Sequence, residues 1–316
     1  MSFEEKYIYR IYLENKLINS HGDEFQQLFY RIMSESYNNF QKIENQGAKG
    51  DKKCDGYLKG EGIFFQVYGP KDYDSIASIQ KNAIDKSEND LVKLLNNIKD
   101  GYWEKLIKYI FVFKSHRGSY PDLNKKCCEL EKKYSIETAI YDIDNLLSIF
   151  TKLSVEQMAS VANTYIPTPD FTKVNYDIMG KLIKHLNTIA TTNNIDITKT
   201  PPDFDDKIKF NNICPFYSSN LTSASYYIDK LDDYLSSYAD PDISDYLCGI
   251  LKILYSDSQK EFPENSDLQF KYILDNCHSN ISDSNLIKIY ETNSYIIMAK
   301  YFETCDIFEE PPKKEK

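Results

Sequence analysis

The chain has 316 residues, 41% apolar and 27% charged, with a net charge of −10, an ordinary balance for a water-soluble protein with room for two cores. No apolar run approaches a membrane span, and the charged opening MSFEEKYIYR lacks a signal-peptide core; the expected location is cytoplasmic. Seven cysteines, an odd number without a CxxC pair, and four scattered histidines argue against structural zinc and for reduced thiols.

In chain order, residues 4–17 read as a short amphipathic helix, and Phe25, Leu28, Phe29 and Ile32 recur at helical spacing in a second. Strand-like FQKIEN follows. The stretch GDKKCDGYLKGEGIFFQVYGP, 50–70, then reads as a β-hairpin. The runs CDGYL and GIFFQVYG flank a Lys59-Gly60-Glu61-Gly62 turn. With the tip at Gly60-Glu61, Asp55 lies directly opposite Gln66. Alternation sends Ile63, Phe65 and Val67 to a core face, and Phe64, Gln66 and Tyr68, with Asp55, to a face bearing polar groups. A slip of one residue would undo this.

Residues 72–98 read as helix, with Ile76, Ile79, Ala83, Leu91, Leu94 and Leu95 on one side. LIKYIFVF, 106–113, is a buried strand. Pro121 opens a helix through Lys133, ETAIYD is a strand, and NLLSIFTKL closes the domain helically. Helix, hairpin, helix, strand, helix, strand specifies an α/β domain with a mixed sheet, bounded near Leu153 and Ser154. Residues 154–316 show no strand alternation and read as all-α. Stripes run through Val174, Ile178, Met179, Leu182, Leu186 and Ile189, and through Ala224, Tyr227, Ile228, Leu231, Leu235 and Tyr238. Pro241 suits the first position of a helix carrying Ile243, Leu247, Ile250 and Leu254, and 294–304 is a last helix. TTNNIDITKTPPD reads as a loop and PPKKEK as a frayed end.

The charge is unevenly spread. Residues 1–153 hold 23 of the 38 basic and 23 of the 48 acidic side chains, so all the net acidity lies beyond them. Lys49, Lys52, Lys53, Lys59 and Lys71 cluster around the hairpin, either as a field that attracts the phosphates of double-stranded DNA or as a solvated lysine-rich loop.

An Asp followed by (Glu/Gln)-x-Lys on adjacent strands marks the PD-(D/E)xK restriction-endonuclease-like nucleases, and the first half resembles that family through Asp55 and Gln66. The resemblance implies a helix acid, for which Glu24 in GDEFQQLFYRIM stands, and a Lys where this chain has Tyr68. A second resemblance covers most of the chain. EFQQLFYRIMSESY, NQGAKGDKKCDGYL and FFQVYGP look like the N-terminal domain, and YFETCDIFEEPP like the end of a C-terminal domain, of proteins from bacterial ABC three-component systems. Membership implies an anti-phage module in which an effector works with an SMC/Rad50-like ATPase and a small middle component, here docked through the acidic domain.

A phosphodiester hydrolase of this type needs Mg²⁺ or Mn²⁺. Asp55, the Gln66 side-chain oxygen and the Val67 carbonyl are the implied ligands, with Asp51 or Glu24 as a further one. Tyr68 can donate a hydrogen bond but is neutral at pH 7; among lysines just downstream, Lys86 is the first choice to supply the missing ammonium. Asp55-Gly56 also reads as an ordinary turn, Gln66 as a polar outer-face residue, His116 as loop polarity and Cys127-Cys128 as packing. Three functions follow: a metal-dependent nuclease effector, an inactive nuclease-fold subunit that grips DNA or scaffolds a complex, and an adaptor. No GxxxxGK[ST] motif is present, so the chain is not itself read as the ATPase.

Overall fold

The computed structural model describes residues 3–43, 54–71, 75–189, 203–279, 281, 283–304 and 307–312. The chain divides into two compact units, Met1–Thr164 and Tyr165–Lys316. Asp51, Lys49, Lys52 and Lys53 lie outside the described residues.

The first unit is α/β. Its elements are α1 (Phe3–Asn19), α2 (Gly22–Ser36), β1 (Phe40–Lys42), β2 (Gly56–Leu58), β3 (Ile63–Tyr68), α3 (Ile76–Lys99), β4 (Lys108–Phe113), α4 (Pro121–Tyr134), β5 (Glu137–Tyr141), α5 (Ile143–Phe150) and α6 (Val155–Ala162). The five strands lie in chain order in one mixed sheet. β1, β2 and β3 pair antiparallel, and β3, β4 and β5 parallel.

The hairpin has the expected register, with Gly56 opposite Phe65 and Leu58 opposite Ile63. Its turn is clamped by the Glu104 carboxylate, which accepts from Gly60 N–H at 3.0 Å. Gly62 has φ +67°, and a Cβ there would meet Lys105 O at 2.6 Å, so only glycine fits. The expectation of one core face and one polar face is corrected. Phe65 packs against Phe29 and Phe40 on the α2 side, while Phe64 enters a core with Ala83, Leu91 and Leu94 of α3 and Leu123 and Leu130 of α4. Both faces are covered, one by the crossover helices α3 and α4 and the other by α2, which is why IFFQVY and KYIFVF are almost continuously apolar.

By packing, α6, which follows the expected boundary near Leu153, groups with the first unit. α6 packs on α1 and α2; Gln157 Nε2 donates to Glu35 O at 2.9 Å, and Lys16 Nζ donates to Ala162 O at 2.8 Å.

The second unit contains no strand among its described residues. After a short turn at Phe171–Lys173 come α7 (Tyr176–Leu186), α8 (Phe204–Phe210), α9 (Pro215–Ser225), α10 (Ile228–Ser236), α11 (Ile243–Glu261), α12 (Ser266–Asn276) and α13 (Ser284–Thr304). The stripe through Ala224 and Tyr238 is broken between α9 and α10, and Pro241 lies before α11 rather than at its first position, behind the N-cap Asp242. α13 starts earlier than expected and is the core helix. Tyr295 to Ala299, Tyr301 and Phe302 are all buried, and it packs against α7, α9, α10 and α12.

Candidate functional site

Asp55 sits where the hairpin begins, and its backbone explains its aim. Its N–H donates to Phe65 O at 3.1 Å, although Phe65 is already paired with Gly56. Two residues of one strand thus oppose one of the other, which is a β-bulge, a device that turns a side chain out of the regular alternation. Glycine is required next in sequence, since a Cβ on residue 56 would come within 2.5 Å of the Phe40 ring.

The carboxylate so aimed is only 4% exposed. Its Oδ2 accepts from Gln66 Nε2 and from Val67 N–H, each at 2.6 Å. Its Oδ1 accepts from Gln26 Nε2 of α2 at 2.8 Å. Gln26 Nε2 is also 2.5 Å from the Tyr30 hydroxyl, and that hydroxyl donates to Ile43 O at 3.2 Å. For Val67 the carboxylate does what a β2 carbonyl would do in a longer ladder. Charge-assisted bonds of this kind are short and strong.

Gln66 is buried, and its Oε1 has no hydrogen-bond partner. An orphaned buried acceptor calls for a missing donor or cation. A hard divalent cation prefers oxygen ligands, and the Asp55 carboxylate and the unpartnered Gln66 oxygen are of that chemistry, while the Gln66 group that faces Asp55 is its amide nitrogen. Among the described residues, no group of three or more His, Cys, Asp or Glu side chains gathers as a metal cluster, so neutral oxygens carry much of such a site.

The other expected residues are distributed as follows. Glu24 is exposed on the outer side of α2, and it is Gln26, two residues on, that reaches Asp55. The phase of α2 decides this, because Phe25, Leu28, Phe29 and Ile32 face inward and Gln26 shares a face with Phe29 and Tyr30. Tyr68 is half-buried and stacks on Phe113, with ring centroids 6.0 Å apart, so its ring belongs to an aromatic row. Lys86 pairs with Asp90 one turn along α3, at 2.8 Å. Lys59 is exposed at the hairpin tip, the opposite end of β2 from Asp55, and Lys71 is exposed past the end of β3. Of these two, Lys59 therefore stands at the far end of the hairpin from Asp55.

Sequence reasoning missed Lys114, which is 9% exposed and directly follows β4. Its Nζ is 2.8 Å from His21 Nδ1, and its N–H donates to Tyr68 O at 3.0 Å. Its position after FVF, at the carboxyl end of a parallel strand, is the signal that marks it, since open α/β sheets place their sites there. His116 is exposed in the following loop. Burial raises the Cys127 thiol to about 11, which makes it a packing residue rather than a nucleophile.

Residues 153–309 match the domain family described as C-terminal domain 10 of the ABC-three component systems. The match takes in the helical second unit and begins just before α6. No curated protein and no solved structure matches the chain.

Proposed function

We propose that this chain, a component of an ABC-three component system by its C-terminal domain, is that system's metal-dependent DNA endonuclease, with a restriction-endonuclease-like first unit. The observation that carries the proposal is the meeting of Asp55 and Gln66, 2.6 Å apart, with Gln66 Oε1 left unpartnered in the interior. A divalent cation held by Asp55, Gln66 and the Val67 carbonyl would supply charge neutralisation at a phosphodiester and an activated water. The chain's own part is orientation. Gln26 and Val67 N–H hold the Asp55 carboxylate, and the covered sheet faces exclude bulk water from it. The acidic second unit docks the partner proteins of the system, an SMC/Rad50-like ATPase and a small middle component. Asp229, Asp233, Asp240, Asp242 and Asp245 are all exposed, and complementary charge chiefly sets partner choice and encounter rate.

Position 68 favours a second reading, a nuclease-fold subunit that binds DNA or scaffolds the complex without cutting. Tyr68 is neutral and committed to aromatic stacking, and Lys86 is paired with Asp90. One assay separates the two. Supercoiled plasmid is incubated with the chain and Mg²⁺ or Mn²⁺, with and without the partner proteins. Nicking or linearisation that disappears in Asp55→Asn supports the nuclease; retarded but intact plasmid in every arm supports the second reading.

A further inference from the structure

We infer that α10, the turn that follows it and the start of α7 form the docking face for a basic, arginine-bearing segment of a partner protein. This rests on the docking reading above and deepens it, by giving the partner's contact a place and a chemistry. Residues 228–245 hold six aspartates and one lysine, and Asp229, Asp233, Asp240, Asp242 and Asp245 are exposed. Asp229 and Asp233 stand one turn apart on α10, a like-charge spacing that weakens a helix. The fold keeps them at a small cost to its own stability, which a cationic partner would relieve.

The second observation is aromatic. Tyr176, at the start of α7, lies flat against Tyr234 of α10, with ring centroids 6.0 Å apart and planes 12° from parallel. The Tyr238 ring follows 6.1 Å from Tyr234. Gly180 makes room for this row, because a Cβ there would collide with the Tyr234 hydroxyl. Tyr234 and Tyr238 are half-buried, but Tyr176 is 47% exposed, so the row is open on its outer side. Contiguous exposed aromatics of this kind mark contact sites. Tyrosine faces attract cations, and guanidinium most, because it stacks flat on the ring. The surface already holds one cation in this way: Lys230 Nζ of α10 lies 5.0 Å from the centre of the Tyr227 ring. Aspartates beside an open tyrosine row fit arginine, which stacks and pairs at once, and they repel the phosphates of nucleic acid. The exposed lysines of α7, Lys181 and Lys184, lie further along that helix than Tyr176.

Fluorescence anisotropy of a short labelled arginine peptide with the full chain tests this, beside lysine and glutamate peptides of the same length. The wild-type chain is expected to bind the arginine peptide more tightly than the lysine one, to release both as salt rises, and to leave the glutamate peptide free. Asp229→Asn/Asp233→Asn is expected to weaken both cationic peptides about fivefold, while melting no earlier than wild type because the repulsion is gone. Tyr176→Ser is expected to lower the preference for arginine over lysine about threefold. Circular dichroism melts check both variants; if Tyr176→Ser melts early, Tyr176→Leu, which keeps an apolar contact on Tyr234, is read in its place. Unchanged affinities in both folded variants overturn the face, as does a wild-type chain that binds no cationic peptide. Loss in the aspartate variant with an unchanged arginine preference at position 176 overturns the tyrosine row's part and the choice of arginine. Co-purification with the other components of the system keeps the two readings apart. Variants that retain those components as well as wild type does overturn this face and leave docking by the acidic unit standing. A wild-type chain that retains none removes the docking reading itself and this face with it.

Discussion

Asp55 behaves as an interior residue, and that changes what its replacement should do. As an outer-face acid it would be removable without cost, but the structure gives it three N–H donors. Asp55→Ala strands the Val67 N–H and the Gln66 amide, while Gln26 keeps its Tyr30 partner, and each orphaned buried donor costs about 1–3 kcal/mol. Asp55→Asn keeps one acceptor oxygen. Urea melts should therefore rank wild type, Asn and Ala in falling stability; an Ala variant as stable as wild type would show that the carboxylate is solvated and the site open. Glu291 on α13 makes the second residue-level case. Burial, with the Asp275 charge adding to it, raises its carboxyl from 4.5 to about 8, and its Oε2 has no partner. The folded state holds this proton more tightly than the unfolded chain. Its contribution is complete below about pH 4.5 and is lost as pH rises through about 8. Glu291→Gln should flatten that decline, gaining a few kcal/mol over wild type at pH 9. Parallel melting curves for the two proteins from pH 5 to 9 would refute the assignment. The hairpin register from Gly56 to the turn was legible in its turn residues, but the expected facing of Asp55 and Gln66 across the ladder is corrected by the bulge, which sets Asp55 opposite Phe65 and leaves a side-chain bond to join it to Gln66. Gln26 in place of Glu24 was legible only through the phase of α2, in which the two residues point to different sides.

At the scale of elements, the C-terminal segment, whose aromatics could by sequence serve either a partner contact or the domain's own core, does the second. Tyr301, Phe302 and Phe308 are all buried. The Phe308 ring lies 4.8 Å from Tyr255 and 5.6 Å from Phe302, inside the unit's own core. Asn211 clasps Glu309 in both directions, donating to its carbonyl at 2.8 Å and accepting from its N–H at 2.9 Å. The fully buried Lys207 donates to Phe302 O at 2.8 Å near the end of α13. Aromatic periodicity cannot tell a core-closing segment from an interface, because both want the same side chains. Removing residues 305–316 should therefore unfold the second unit before any partner is considered. Phe308→Ala alone should cost about 3–5 kcal/mol, read as a lowered midpoint in thermal or denaturant melts. A truncated chain that melts like wild type would return this segment to the surface.

At the scale of the molecule, each unit has its own core, and the charge is divided between them. The first 153 residues are balanced while the remainder carries the whole excess. Residues 1–164 expressed alone should melt cooperatively and hold DNA with an affinity that falls as salt rises. A noncooperative melt would mean that this unit lacks a core of its own. Capture of the partner proteins should instead need the second unit and weaken with salt. By itself the sequence determined the order of helices and strands from α1 to α5, the hairpin register, the inward face of α2 and the acidic helical half, but not α6, α8 or α12. Periodicity, turn glycines and charge are local properties that a short window of chain records. Only the tertiary structure decided the bulge that aims Asp55, the reach of Gln26 from α2 to its carboxylate, and the burial of the C-terminal aromatics. Each of these joins residues far apart in sequence, and what selects them is the cost of leaving a polar or apolar group unmatched in a shared interior, a quantity no local pattern contains.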